Sequence, residues 1–235
     1  MNHRIFTNAG WAVSTLWLCI VIAASMQSTR SEADALHVIQ QDALSAQLDG
    51  LAGVPVSAEV HTVIGWILQS HDHQDLPFAV VDKIHAHVFI FNNAGDFLGD
   101  APVLLGLALG DDGVTGIGDR ALSRIRPKER ITPSGRFIAN LARNIMDEEI
   151  LWVDYEQSIS MHALRNVNPK EQRLQRLTSP TVLDNRISYG CINVPTAFWR
   201  DIVVPAFTDS PGVVYVLPEV RSVQTEFAFP TERRR

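Results

Sequence analysis

The chain has 235 residues, 46% of them hydrophobic, which is enough to bury the core of one domain with appendages. Its 20 basic and 26 acidic side chains give a formal net charge of -6. Phosphate backbones are bound by basic surfaces, so this acidic balance argues against nucleic acid as the partner.

The first 25 residues have the composition of an export signal. Arg4 precedes an apolar run over residues 11–25, which matches the positive and apolar regions of such signals. The run is shorter than the roughly 20 apolar residues that span a bilayer, and the small residues at its end suit cleavage. We therefore predict a signal peptide over residues 1–25. The alternative is an uncleaved anchor that associates with the inner membrane through residues 11–25.

Residues 26–77 show helical patterns. Apolar residues recur at roughly helical spacing over residues 31–51, and a second helical stretch covers residues 57–69. The polar cluster that follows, residues 70–75, contains two histidines and two aspartates and invites a metal hypothesis. Zinc needs three or four convergent ligands, and a short polar run supplies at most two with good geometry. We therefore expect a solvated loop there and no metal site.

Short strands are predicted beyond residue 77. The predicted strands cover residues 78–83, 85–91, 102–109, 150–155, 158–164 and 212–217. Asn168, Pro169 and Glu171 have the capping pattern of a short helix over residues 169–177, and another helix is predicted after Val194. The fold class is therefore mainly β with short helices (α+β). Residues 221–235 lack a periodic pattern and are predicted to form a disordered basic tail.

One cysteine, Cys191, remains once the predicted signal peptide is removed. Structural cysteines normally occur in pairs in an oxidising compartment, so a lone thiol there indicates a functional group. A thiol is a good nucleophile only as the thiolate, and it needs a nearby imidazole or positive charge to become one. The nearest suitable imidazole is His162, which alternation places with Ser158 and Ser160 on the polar face of a strand. The alternative is a buried, inert cysteine.

A longer motif surrounds this cysteine. The stretch reads Ser188-Tyr189-Gly190-Cys191-Ile192-Asn193. Together with His162 upstream it resembles the catalytic domain of the L,D-transpeptidases (the YkuD-like family). In that family a histidine and a spacer precede Ser/Thr-His-Gly-Cys, an aliphatic residue, and Asn or Arg. Tyr189 stands where the family usually has a second histidine, and the spacer is longer than usual. The resemblance covers most of residues 78–218, including residues 131–137, which look like the family's Thr-Pro-x-Gly-x-Phe element.

The resemblance implies a β-sandwich catalytic domain over residues 78–220, preceded by the helical segment 26–77. It also implies a two-step acyl transfer. Cys191 would attack a carbonyl of a peptidoglycan stem peptide, release the terminal D-residue and hold the stem as a thioester, which an amine of another stem then takes. The expected partner is therefore the stem peptide, in the periplasm, with no cofactor.

Individual roles also follow from the resemblance. His162 would be the general base, its ring oriented by a backbone carbonyl, that of Ala163. The backbone N–H groups of Cys191 and Gly190, together with that of Tyr189, would form an oxyanion hole. The residues expected to bind substrate or to brace its site are Ser188, Asn193, Arg136 and Arg186.

Several alternatives stay open. The basic residues between positions 120 and 136 are either a solvated face or include one or two arginines that bind stem-peptide carboxylates. The spacer over residues 165–186 would lie above the cleft as a lid or acceptor-binding element. Two other functions remain: a thiol carboxypeptidase or hydrolase acting on the same wall peptides, and a catalytically silent cell-wall-binding protein.

Overall fold

The structure is a computed structural model that describes residues 38, 41–42, 44–166 and 168–229. The predicted signal peptide or anchor of residues 1–25 and the tail residues 230–235 lie outside these ranges. The chain divides into two compact units, residues 1–46 and residues 47–235. The described residues of the first unit are helical. No helix within the described ranges is both long and apolar enough to cross a membrane.

Helix α1 (Ala58–Ser70) corresponds to the second predicted helical stretch. Ser57 caps its start, and the Ser57 hydroxyl accepts a hydrogen bond from the Val60 N–H at 3.3 Å. The helix ends where His71 adopts a left-handed conformation with φ 53°. Apolar residues at helical spacing bury one face, formed by Val60, Val63, Ile64, Ile67 and Leu68.

Strands dominate the second unit. The described strands are β1 (Phe78–Asp82), β2 (His87–Phe91), β3 (Phe97–Pro102), β4 (Leu105–Gly106), β5 (Gly135–Arg143), β6 (Glu149–Asp154), β7 (Ile159–Ala163), β8 (Arg186–Ser188), β9 (Ile192–Val194) and β10 (Gly212–Val216). Eight of them form one mixed sheet in the order β3-β2-β1-β10-β5-β6-β7-β9. Strands β4 and β8 pair separately as a two-stranded parallel sheet. The fold is mainly β with short helices, as predicted.

The centre of the large sheet is apolar on both faces. All residues of β1 and β10 are buried, and the two strands pair in parallel with Phe78 opposite Val213. Continuous runs of valine and aromatic residues are typical of strands covered on both sides. These strands therefore form the buried centre of the large sheet.

The strand prediction was wrong between residues 97 and 109. Strand β3 lies mostly where no strand was predicted, whereas within the predicted range 102–109 only Pro102, which ends β3, and Leu105–Gly106 belong to strands. Gly99 and Pro102 reduce the strand signal of β3, but an edge strand tolerates both, and β3 pairs only with β2. Strand β5 was also missed, because charged and amide side chains interrupt its apolar pattern.

Short helices complete the core. The predicted helix over residues 169–177 is broken into a 3-10 turn, Pro169–Glu171, and α2 (Arg173–Leu177). After β9 come α3 (Thr196–Phe198), a π-helical turn (Trp199–Val203) and α4 (Val204–Phe207). This segment inserts Trp199, Val203 and Phe207 into the hydrophobic core of the sheet. It follows β9 directly and so supports the strand next to the cysteine.

Part of the predicted disordered tail is ordered. Ser222 caps helix α5 (Val223–Phe227), and its hydroxyl accepts a hydrogen bond from the Thr225 N–H. The rings of Phe227 and Phe229 lie 6.1 and 4.9 Å from the ring of Trp66 on helix α1. The prediction was wrong for residues 221–229, because aromatic contacts with a distant helix stabilise a segment that has no pattern of its own.

A buried ionic cluster of Lys83, Asp111, Arg186 and Glu219 fixes a glycine-rich loop, residues 110–118, to the sheet. Lys83 Nζ lies 2.9 Å from Asp111 Oδ1, and both side chains are almost fully buried. Asp111 also accepts the backbone N–H groups of residues 219–221, and Arg186 pairs with Glu219. Burial opposes the charge of Asp111, but these backbone hydrogen bonds and Lys83 lower its pKa to about 2.

Candidate active site

Two adjacent parallel strands bring the predicted nucleophile and base together. Strands β7 and β9 pair with Met161 opposite Ile192 and His162 opposite Asn193. Cys191 immediately precedes β9 and is partly exposed. Its Sγ lies 3.6 Å from Ser160 Oγ and 3.7 Å from the Ser158 carbonyl oxygen. His162 lies two residues beyond Ser160 on the same strand, and alternation places both side chains on one face, about 7 Å apart along the strand.

The hydrogen bonding of His162 fixes its tautomer. Nδ1 lies 2.8 Å from the Ala163 carbonyl oxygen, which can only accept, so Nδ1 carries the proton. In the neutral ring Nε2 is then an unprotonated acceptor. Burial lowers the pKa of His162 below its ordinary value of 6.5, and the charges of Arg165 and Arg173 act in the same direction. The ring is therefore a neutral base near pH 7, oriented by the carbonyl that was expected to hold it.

Side chains on both sides of the cysteine brace the loop that carries it. Ser188 Oγ donates to the Cys191 carbonyl oxygen at 2.6 Å and accepts the Gly190 N–H at 3.0 Å. Asn193 Nδ2 donates to the same Cys191 carbonyl at 3.2 Å. Ser188 and Asn193, both predicted as binding or bracing residues, thus hold the nucleophile loop (residues 188–193) in place.

A glycine is required at position 190 because the chain there packs closely against the Thr-Pro element of residues 131–137. Its φ is 133°, and a Cβ atom there would lie 2.7 Å from the Ile131 carbonyl oxygen and 2.6 Å from Ile159 Cδ1. The Thr132 hydroxyl donates to the Gly190 carbonyl at 2.7 Å and accepts the Gly106 N–H at 2.9 Å. Thr132 was not predicted as a site residue, although its place in the Thr-Pro motif was a usable signal.

The expected oxyanion hole is only partly available. The Gly190 N–H is already donated to Ser188 Oγ, contrary to the prediction that it would face the substrate. Within the described residues no hydrogen bond engages the Cys191 N–H. The Cys191 amide is therefore the donor best placed to meet an oxyanion formed at its own side chain.

Arg136 and Arg186 do not join the site. Arg136 Nε donates to Asp72 Oδ2 at 2.6 Å, the same oxygen that accepts from the Tyr215 hydroxyl. Arg186 is buried in the ionic cluster and donates to the Lys83 carbonyl at 2.7 Å. Their assignment as substrate-binding residues stays a prediction, and these internal acceptors, which bind part of each guanidinium group, weigh against it.

The polar cluster at residues 70–75 is partly internal. Asp72 pairs with Arg136, and His73 is buried with its ring 5.1 Å from that of Phe78. The prediction of a solvated loop was thus wrong for these two residues. No group of three or more His, Cys, Asp or Glu side chains in the described ranges could hold a metal ion.

Two arginines missed by the sequence lie beside the loop. Arg173, from helix α2 in the spacer, donates through Nη1 to Asn193 Oδ1 at 3.0 Å. The guanidinium carbon of Arg130 lies 3.9 Å from the centre of the Tyr189 ring. Arg130 belongs to the basic run, which was a usable signal, whereas no local pattern indicated Arg173. The contact of Arg173 agrees with the hypothesis that the spacer lies next to the cleft.

Comparisons with known proteins found a match among solved structures and none with family models or curated proteins. Among solved structures it is similar to the helical cell shape determining protein Pgp2 from Campylobacter jejuni, with 13% identity and a TM-score of 0.41. The match covers 67% of this chain and 55% of that one, so the likeness spans little more than half of the Campylobacter protein.

Proposed function

We propose that the protein is a cysteine acyltransferase of the L,D-transpeptidase type that acts on peptidoglycan stem peptides in the periplasm. One observation carries this proposal. The unprotonated Nε2 of His162 belongs to the same strand face as Ser160, whose hydroxyl contacts the thiol of Cys191. Nucleophilic cysteine catalysis needs an oriented neutral imidazole that can take the proton of the thiol, and a shared strand face supports this pairing of His162 with Cys191. The resemblance of the motif around Cys191 to that of the L,D-transpeptidases supports peptidoglycan stem peptides as the substrate class.

The proposed reaction begins with proton transfer from the Cys191 thiol to Nε2 of His162. The sulfur then forms a bond to the scissile carbonyl carbon, and the Cys191 N–H donates to the oxyanion. The carbon–nitrogen bond breaks as His162 returns the proton to the leaving amine, which leaves a thioester on Cys191. An acceptor amine gives its proton to His162, attacks the thioester and regenerates the thiol.

Water in place of the acceptor amine would make the enzyme a carboxypeptidase. Both reactions use the same residues up to the thioester, so only the products distinguish them. A purified tetrapeptide donor, incubated with and without an acceptor stem, should yield a crosslinked dimer when the acceptor is present. Release of a tripeptide alone in both incubations would assign the hydrolase instead.

The first experiment is intact mass spectrometry of the purified protein after incubation with a carbapenem, an acylating analogue of the donor. We expect one adduct on the wild type, none on Cys191→Ala, and acylation slowed about 100- to 10,000-fold in His162→Ala. His85→Ala is the matched control, because His85 is exposed and bonds Asp82 on another part of the sheet. An absent adduct on the wild type would favour the silent wall-binding protein.

A further inference from the structure

The stacked pair of Arg130 and Tyr189 lies against the nucleophile loop. Tyr189 precedes Gly190 and Cys191 in that loop. Arg130 precedes Ile131 and Thr132, whose carbonyl and hydroxyl contact Gly190. The two side chains therefore leave the backbone within two residues of the same close contact, and the guanidinium stacks on the ring at 3.9 Å. This geometry places a positive charge at the edge of the site.

No carboxylate in the described part of the chain neutralises this charge. Elsewhere in the basic run Arg120 and Arg126 pair with Glu129, and Arg136 pairs with Asp72. The only hydrogen bond recorded for the Arg130 side chain within the described ranges is a 3.3 Å contact from Nη2 to a backbone carbonyl. Its Nε is buried without an acceptor. Buried polar groups normally have partners. Arg120 also has buried nitrogens without a partner, but it is paired with Glu129, whereas no described carboxylate pairs with Arg130.

A guanidinium held flat on an aromatic ring keeps its edge free for another ligand. The ring fixes the plane and attracts the charge, while the terminal N–H groups match the two oxygens of a carboxylate. Nη1 of Arg130 makes no hydrogen bond to the described residues and is not among their buried, unpartnered atoms. It is therefore the atom through which an anion can be bound.

We propose that Arg130, stacked on Tyr189, binds a carboxylate of the donor peptide beside the scissile bond. The choice of a peptide carboxylate rests on the proposed function. Two carboxylates of a stem peptide have this chemistry: the terminal one of the leaving D-residue and a side-chain one on the acyl side. Tyr189 stands where the L,D-transpeptidases usually have a second histidine. At that position the stacked pair therefore forms a cationic site from two side chains.

The first test uses two alkylating probes and needs no wall substrate. Iodoacetate and iodoacetamide react by the same step, in which the sulfur of Cys191 bonds to their methylene carbon and iodide leaves. Only iodoacetate carries a carboxylate. The ratio of their second-order rate constants, followed by intact mass, should fall by about tenfold in Arg130→Gln. The iodoacetamide rate itself should stay near that of the wild type and so reports an intact site.

Arg124→Gln is the matched control. It removes the same charge from the same basic run, and the Arg124 side chain is exposed. Its rate ratio should equal that of the wild type. Tyr189→Phe retains the ring and should retain the ratio, whereas Tyr189→Ala should lower it. Equal ratios in Arg130→Gln and the wild type, or an equal fall in Arg124→Gln, would overturn the proposal.

The second test identifies which carboxylate is bound. Wild type and Arg130→Gln are compared on four donor tetrapeptides in which each of the two carboxylates is either free or amidated. The wild type should prefer one free acid over its amide, and Arg130→Gln should lose that preference, which names the carboxylate. A wild type that turns the peptides over without preference contradicts the proposal. If no peptide is turned over but the probe ratio depends on Arg130, the carboxylate site stands and the proposed function fails.

Discussion

The buried ionic cluster and the nucleophile loop lie at opposite ends of one three-residue strand, β8. At its first residue, Arg186 pairs with Glu219, and the cluster carboxylate of Asp111 accepts from Lys83 and three backbone N–H groups. At its last residue, Ser188 braces a loop whose thiol remains partly exposed. Both regions are polar, but the cluster pairs its charges with opposite charges, although Arg186 Nε has no hydrogen-bond partner among the described residues. A charge without an opposite partner, as at Arg130 beside the loop, is therefore the better indicator of a binding site.

The largest expected effect lies in the cluster. Asp111→Ala leaves the Lys83 ammonium buried without its closest carboxylate and three backbone N–H groups without an acceptor. The free energy of unfolding should fall by about 3–5 kcal/mol, measured by urea denaturation. Asp112→Ala is the control, because Asp112 is largely exposed and should change stability little. Similar stability losses in the two variants would mean that the cluster does not anchor the loop.

Next comes Gly190→Ala, which tests the close contact beneath the nucleophile. The new Cβ would meet the Ile131 carbonyl at 2.7 Å, so the loop must move and stability should fall by about 1–3 kcal/mol. The carbapenem adduct should form far more slowly. Gly116→Ala shares a positive φ but has no atom within 4 Å of the added carbon, and it should retain the wild-type acylation rate. Normal acylation by Gly190→Ala would show that the loop does not need this contact.

The pH dependence of acylation tests the state of His162. Because burial lowers its pKa, the rate should stay high until the pH is clearly below 6.5 and then fall as the ring is protonated. Arg173→Gln removes a charge that disfavours the imidazolium, so the fall of the rate at acidic pH, its acid limb, should move to higher pH. Arg200→Gln, an exposed residue paired with Asp201, should leave the limb in place. A shift to lower pH in Arg173→Gln would contradict the assignment.

The lowered pKa of His162 also predicts how the stability of the fold depends on pH. The unfolded chain binds a proton at His162 more readily than the folded chain, so stability rises with pH through this window. The contribution of His162 is complete above its unfolded pKa of about 6.5 and is lost as the pH falls through its folded value. Urea denaturation between pH 7 and 5 should show a smaller decline in His162→Gln than in the wild type. An identical decline would assign the pH dependence to other groups.

The smallest effect is expected for Tyr189→Phe. The ring that supports Arg130 remains, so the rate of carbapenem acylation should change by no more than about twofold. A phenol hydroxyl is a poor general base at neutral pH, so loss of the Tyr189 hydroxyl removes no proton acceptor. A large loss of acylation in this variant would instead assign the hydroxyl a direct part in the reaction.

Local patterns predicted the site better than its surroundings. Alternation placed Ser160 and His162 on one face, and the carbonyl that orients His162 belongs to the next residue. The internal partners of Arg136 and Arg186 lie 64 and 33 residues away. No periodicity or short motif reports such pairs. The ordered tail has the same cause, since Trp66 lies far from Phe229 in the sequence.

The order of strands in the large sheet has a consequence for how the chain matures. Strand β10 lies between β1 and β5, so residues 212–216 join the β1–β3 part of the sheet to the part that carries His162 and Cys191. Without these residues, β1 and β5 would each present an open sheet edge. The strands beside Cys191 therefore depend on residues that follow them in the sequence, and a chain that ends before residue 212 should remain a target for chaperones and proteases.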